Sequence, residues 1–149
     1  MFRIVRTNAT DKGYQELVTL LDADLRIRDG EDHAFFAQYN KSTDIKNVVV
    51  YYHGAVAAGC GAFKFFANSS VEIKRMFVRP EWRGKHIATK ILTELEVWAY
   101  ELNFSECVLE TGKRQPDTVA LYEKRGYKLI PNYGQYAGKE NSVCFEKEL

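Results

Sequence analysis

The sequence predicts one α/β domain with a mixed, mostly antiparallel sheet flanked by helices, and three observations carry that prediction. Residues 71–78, VEIKRMFV, form a short run rich in Val, Ile, Met and Phe that stops at Pro80. Ile87, Ile91, Leu95, Trp98 and Leu102 then recur at helical spacing, and Ala88, Leu92 and Ala99 widen the apolar stripe. Residues 105–111 return as a short apolar strand. Strand, helix and strand at this spacing make a crossover, so 71–78 and 107–111 are expected to lie parallel.

The other elements follow in chain order. Residues 2–5 read as a first strand, and Asn8, Thr10 or Asp11 can cap the helix that follows. Tyr14, Leu17, Val18, Leu21 and Leu25 line one face of that helix, which ends before Gly30. Asp32 is the candidate cap of a short second helix carrying Phe35, Phe36 and Tyr39. Those aromatics read first as core and second as a wall of a substrate pocket. Residues 46–52 and 55–66 form a hairpin about His53-Gly54, which makes His53 a turn residue and not a ligand. Gly59 and Gly61 inside the second strand signal a bulge or a close backbone approach. Asn68, Ser69 and Ser70 turn the chain into the central strand. Alternation from Glu72 places Lys74 and Met76 on its face. Beyond a loop at 112–115, Pro116 suits a first helical turn, and that helix ends near Gly126. Residues 127–130 and 142–147 are the last strands. The loop between them is polar and aromatic, the composition of a lid or binding loop.

A chain of 149 residues is the size of a single domain, here 1–149, with enough length for a substantial core. Lys plus Arg number 21 against 20 Asp plus Glu, which argues against a nucleic-acid groove or a basic membrane surface. No run reads as a signal peptide or membrane span, so a soluble, cytoplasmic protein is expected. Cys60, Cys107 and Cys144 are far apart, odd in number and set in apolar runs. Reduced, buried thiols follow, and no metal site is expected.

The chemistry concentrates at Arg83-Gly84-Lys85-His86-Ile87-Ala88, between the central strand and the long helix. A helix start leaves backbone N–H groups without intrahelical partners, and with the positive end of the dipole these suit a phosphate. Gly84 permits close approach, and Arg83 and Lys85 add charge.

This turn resembles the acetyl-coenzyme A site of the GNAT N-acetyltransferases, whose pattern is Gln or Arg, two residues, Gly, one residue, then Gly or Ala. Arg83, Ile87 and Ala88 fit, Gly84 is the common extra glycine, and His86 stands where the family usually has its second glycine. A later family motif also matches at Leu121, Tyr122, Gly126 and Tyr127, with Gln115 for the usual Asn and Thr118 for the usual Ala. The order of elements agrees over nearly the whole chain. The resemblance implies the acyl-CoA N-acyltransferase fold and transfer of an acetyl group from acetyl-CoA to an amine.

It also implies roles. Glu72 occupies a position that carries the general base in several relatives, with a solvated residue or a partner of Lys74 or Arg75 as the plain alternative. The backbone N–H of Met76 would face the thioester oxygen. Phe77 and Val78 would pair with the pantetheine arm, and Arg83, Gly84, Lys85, His86, Ile87, Ala88 and Gln115 would hold the rest of the cofactor. Tyr122 occupies the general-acid position and would touch the cofactor sulfur, against the commoner fate of a packed helix tyrosine. Glu110 and Thr111 could touch substrate, or serve as a cap or surface pair. The expected acceptor is a primary amine of a small metabolite or amino-acid-like molecule. A protein lysine or N-terminus, and a CoA-binding regulator without turnover, are the alternatives. A homodimer is left open.

Overall fold

The computed structural model describes residues 1–38, 45–113 and 115–149. Tyr39, expected beside Phe35 and Phe36, lies outside them. The strands are β1 (Phe2–Thr7), β2 (Asn47–His53), β3 (Val56–Ala67), β4 (Ser70–Val78), β5 (Glu106–Gly112), β6 (Lys128–Ile130) and β7 (Ser142–Glu148). The helices are α1 (Lys12–Asp29), α2 (His33–Ala37), α3 (Ile87–Glu101) and α4 (Pro116–Lys124). One sheet runs β1-β2-β3-β4-β5-β7-β6. Its pairs are antiparallel except β4 with β5, as the crossover requires.

Local chemistry accounts for the boundaries. Asp11 is the cap among the expected three, its carboxylate accepting from the Tyr14 N–H at 3.0 Å. Asp32 stands at the start of α2 but does not cap it; its carboxylate accepts from Asn141 Nδ2 at 2.6 Å. The β2–β3 hairpin turns at Gly54, where φ is +60°. Gly59 and Gly61 mark close approach. A Cβ on Gly59 would lie 3.0 Å from the Phe77 carbonyl, and one on Gly61 2.9 Å from both Ile91 and Leu95. These glycines let α3 lie flat on the sheet.

The core has two layers. Ile87, Ile91, Leu92, Leu95 and Ala99 of α3 pack with Val49, Phe63, Val71, Ile73 and Leu109 on one face. Tyr14, Leu17 and Leu21 of α1 pack with Val48, Val50, Cys60, Ala62 and Phe77 on the other. The three cysteines are buried and reduced. No helix among the described residues is long and apolar enough to cross a membrane.

Two irregularities of β4 shape everything that follows. First, the parallel pairing with β5 covers only Ser70 to Glu72 against Glu106 to Val108, and the strands then part. Second, β4 bulges between Lys74 and Phe77, where its register with β3 slips by one residue. Arg75 sits in that bulge at φ +60°, and its carbonyl takes the Cys60 thiol at 3.4 Å. The bulge corrects the simple alternation expected from Glu72. Val71 and Ile73 pack toward α3, but so does Met76, one residue out of step, whereas Phe77 packs toward α1.

Candidate active site

The turn before α3 is built from backbone. Pro80–Trp82 form one turn of 3-10 helix, and the chain then crosses Gly84 at φ +81° and His86 at φ +63°. No side chain among the described residues caps α3, so its first N–H groups stay available. His86 therefore fills a left-handed position that a glycine fills without strain, which is why a glycine is usual there. The Arg83 side chain turns back: its Nε donates to the Val78 carbonyl at 2.9 Å and its guanidinium lies 5.6 Å from the Phe77 ring. The Lys85 ammonium lies 5.2 Å from the Trp82 ring. Ile87 gives its side chain to the core and only its backbone to the turn.

From this turn a cleft of about 330 Å³ runs along the open edge of β4. Met76, Phe77 and Val78 form one wall, Ala88 and the turn close one end, and Gln115, Thr118 and Leu121 of the α4 region face them. Arg28 bridges the mouth, pairing with Asp24 at 3.1 Å on α1 and with Asp117 at 3.2 Å on α4. Parted strands, an uncapped helix start and two left-handed turn residues fit an extended, phosphate-bearing ligand whose arm pairs with a free strand edge.

A smaller cavity of about 80 Å³ continues from the cleft past Met76, Gln115 and Thr118. Glu72, Lys74 and Arg75 of β4, Glu110 of β5, Asp29 at the end of α1, Phe36 and Tyr122 line it. The structure thus brings Glu72, Met76, Gln115 and Tyr122 together at one junction. Tyr122 is buried, with its ring edge-to-face on Tyr127 at 5.5 Å. Burial first, and the Glu110 carboxylate second, hold its hydroxyl well above the ordinary phenol range. The proton therefore stays on at neutral pH. Its packed position leaves Tyr122 among the residues that line the cavity.

The two carboxylates differ. Glu72 is committed: Tyr133 donates its hydroxyl to Glu72 Oε2 at 2.7 Å, and Lys64 stands 3.9 Å from the other oxygen. Glu110 accepts from the Ser142 hydroxyl at 2.8 Å through Oε2. Burial pushes the Glu110 carboxyl up to about 7, with Ser142 and Lys74 pulling against it and Asp29 and Glu72 adding to it. Burial also lowers the Lys74 ammonium. Sequence reasoning left Glu110 open between a substrate contact and a cap or surface pair. Its one signal was a carboxylate at the end of a strand adjoining the central one, and its burial is set by residues far away in the chain.

The aromatic residues close one side. Phe36 packs with Tyr136 and Cys144, and Phe35, Ile130 and Tyr133 join them. The Tyr133 ring is also held by Phe66 at 4.8 Å and Tyr136 at 5.8 Å. The lid composition read in the β6–β7 loop thus corresponds to a wall over Glu72.

A strand-edge cleft that suits a phosphate-bearing arm, next to a small polar cavity lined by Tyr122, Glu72 and Glu110, fits acyl transfer of the coenzyme A-using kind. The Acetyltransferase (GNAT) family model matches residues 14–127. The chain is 34% identical over 119 residues to the IAA acetyltransferase of Azospirillum brasilense, covering 79% of this chain and 77% of that one. It is 30% identical over 122 residues to an uncharacterized N-acetyltransferase of Escherichia coli K12, covering 80% and 66%. Among solved structures, one from Klebsiella pneumoniae named as an acyl-CoA N-acyltransferase superposes with a TM-score of 0.83 at 26% identity, over 100% of this chain and 98% of that one. The PaiA N-acetyltransferase of Thermoplasma acidophilum, solved with coenzyme A, shares the fold with a TM-score of 0.73 at 18% identity, over 100% and 99%. The chain belongs to the GNAT acetyltransferase family. It is an N-acetyltransferase that uses acetyl-CoA as co-substrate.

Proposed function

We propose that this enzyme acetylates the primary amine of a small metabolite by direct attack. One observation carries the choice of a small acceptor. The cavity beyond Met76 and Tyr122 is about 80 Å³, with Phe36 and the Tyr133-bonded Glu72 in its wall. A peptide needs an open groove at that place.

Acetyl-CoA, when bound, supplies the activated acetyl group. The turn from Arg83 to Ala88 holds its phosphates through backbone N–H groups, with Gly84 and His86 setting the curvature. Phe77 and Val78 offer the strand edge to its arm, and Gln115 faces them across the cleft. The Met76 N–H lies in the bulge, outside the registers with β3 and β5, which supports its taking charge that develops on the acyl oxygen. An amine of ordinary basicity is protonated at neutral pH and must lose a proton to attack. Glu110 is the carboxyl suited to take it, because burial has raised its affinity for a proton to the working range. Glu72 is the carboxylate expected from the family position, and its bond to Tyr133 gives it a second task, holding the roof. Tyr122 keeps its proton until the leaving sulfur needs it.

The test is an amine panel with acetyl-CoA, scored by thiol release corrected for hydrolysis and by mass of the acetylated product. Turnover of small amines with none of lysine peptides supports this reading. Efficient turnover of peptides only would replace it with protein acetylation.

A further inference from the structure

We propose that Ser142 is a positioning residue for the acetyl transfer, its hydroxyl holding the Glu110 carboxylate ready to take the proton of the acceptor amine. This rests on the reading of Glu110 as the proton acceptor and adds the residue that keeps it one. In the β5–β7 register Glu110 stands opposite Cys144, and Gly112 opposite Ser142. Glu110 and Ser142 are thus diagonal neighbours on one face of an antiparallel pair, a separation that polar side chains can bridge. The Ser142 hydroxyl spans it and donates to Glu110 Oε2 at 2.8 Å. Ser142 is 2% exposed, so its hydroxyl has protein and not bulk water to bond.

A serine on a loose turn would hold a carboxylate poorly, but this one stands on a braced turn. Asn132 Nδ2 donates to the carbonyls of Lys139 and Ser142, at 3.0 Å each. The Ser142 N–H donates to the Lys139 carbonyl at 3.2 Å, and the Lys113 N–H to the Asn141 carbonyl at 2.8 Å. Asn141 Nδ2 donates to Asp32 at 2.6 Å. The chain at Ser142 is thereby tied to the β6–β7 loop, to the end of β5 and to the start of α2.

Charge connects this geometry to the reaction. A hydroxyl that donates to a carboxylate favours the ionised form, which is the form able to accept a proton. Burial, with Asp29 and Glu72, favours the neutral form, and Ser142 and Lys74 oppose them. Tyr122 on α4, Tyr136 in the β6–β7 loop and Cys144 on β7 also interact with Glu110, and burial holds each of them neutral. Arg75 of the cavity wall pairs with Asp22. Deleting the Ser142 hydroxyl leaves all of these groups in place, so its effect on Glu110 can be read alone.

The experiment follows Glu110 across pH in two ways, by activity and by NMR of protein isotope-labelled at the glutamate carboxyl carbon. The Glu110 resonance is the one absent from Glu110→Gln. In Ser142→Ala its midpoint is expected to rise from about 7 by ~1 pH unit, the size of one lost hydrogen bond to a charged group. With a verified acceptor, kcat/KM relative to the wild type is expected to fall ~10-fold at about pH 6 and ~5-fold at about pH 7, and by less than ~2-fold at about pH 9. Comparison on the same amine cancels the amine's own titration. Should Ser142→Ala not fold, Ser142→Cys keeps a side chain of similar shape that donates only weakly, and the same rise is expected. A Glu110 midpoint unchanged in the folded variant overturns the proposal, even where activity falls equally at every pH, the mark of a purely structural serine. It leaves the reading of Glu110 intact where wild-type activity still follows the wild-type midpoint. A midpoint that rises while the pH dependence of activity stays fixed overturns that reading, and the role of Ser142 in the reaction with it.

Discussion

The proposed cofactor cleft and the proposed acceptor cavity share Met76, Gln115 and Thr118, yet they are made of different material. The cleft is largely backbone: a parted strand pair, a helix start without a cap, and turn residues at positive φ. The cavity is side chains from α1, α2, β4, β5 and α4, with both signs of charge buried in about 80 Å³. Backbone recognition tolerates change in side chains and fails when dihedral angles change. Side-chain recognition behaves in the opposite way. Substitutions on the two sides of Met76 are therefore expected to fall into separate kinetic classes.

The largest effect is expected on the cavity side. Glu110→Gln removes the proposed proton acceptor and is expected to lower kcat by ~10²-fold or more with a verified acceptor. Glu72→Gln tests the family position directly. If its main task is to hold Tyr133, its loss is expected to be smaller and to appear in the KM of the acceptor more than in kcat. A larger kcat loss for Glu72→Gln than for Glu110→Gln would return the base to Glu72. The pH profile sharpens the same point. Activity is expected to rise with pH through about 7, as Glu110 ionises, and to lose that limb in Glu110→Gln.

Stability gives an independent sign. The Glu110 carboxyl is raised in the folded state from its ordinary 4.5 to about 7. A raised group contributes stability that is fully present below its unfolded value and is lost as pH rises through its folded value. Wild-type stability relative to Glu110→Gln is thus expected to fall between pH 4.5 and 7 and to be level above. Denaturant midpoints across that range check it, and a difference independent of pH would place Glu110 in solvent.

Tyr122→Phe comes next. It keeps the ring against Tyr127 and Phe145, so the melting temperature and CoA affinity are expected to change little. Turnover is expected to drop by ~10²-fold, and by less with acyl donors whose thiol is more acidic. Wild-type turnover, with chemistry shown to limit the rate, would leave Tyr122 a packing residue.

The contrast also explains what could be read from the chain. The cleft was legible because its parts are contiguous: Arg83 to Ala88 sit in one turn, and the apolar spacing of α3 points to them. The sheet order, the hairpin at Gly54 and the parallel crossover follow from period and turn chemistry in the same local way. The cavity was legible only in part: Glu72, Gln115 and Tyr122 were named from the family motifs, but not the surroundings that set their chemistry. No glycine or proline within β4 itself announces the bulge at Arg75, so alternation put Met76 on the wrong face. Tyr133 reaches Glu72 across 61 residues, and Ser142 reaches Glu110 across 32. Whether a carboxyl is buried or solvated depends on such distant partners, and no window of sequence contains them.

On the cleft side, Gly84→Val is expected to weaken CoA binding by ~10-fold or more, because a β-branched residue does not adopt φ +81° without strain. No atom lies within 4 Å of where its Cβ would stand, so the free protein has room for the side chain and only the dihedral angle objects. Lys85→Ala removes one exposed charge and is expected to lose less, about twofold to threefold at physiological salt. Calorimetry that gave Lys85→Ala the larger loss would assign the phosphate site to side-chain charge, and the contrast between the two regions would fail.

The smallest effect is expected at His86, and it separates geometry from chemistry most cleanly. The residue holds φ +63° at the start of α3 and donates no side-chain cap. A left-handed conformation costs a non-glycine residue roughly 1–2 kcal/mol, though histidine is among the residues more often found there. Glycine removes that strain but adds freedom to the unfolded chain, which offsets about 0.4–1 kcal/mol of the gain. His86→Gly is therefore expected to stabilise the protein by less than ~1 kcal/mol, a rise of about 2 °C in melting temperature. CoA affinity is expected to stay level or tighten, since the turn keeps its shape and gains access for the phosphate. His86→Ala keeps the strain and deletes the imidazole, so it is expected to leave affinity unchanged. If His86→Gly and His86→Ala both weaken CoA binding by tenfold or more, the imidazole itself contacts the cofactor. A side chain would then be doing in the cleft what backbone does elsewhere along it.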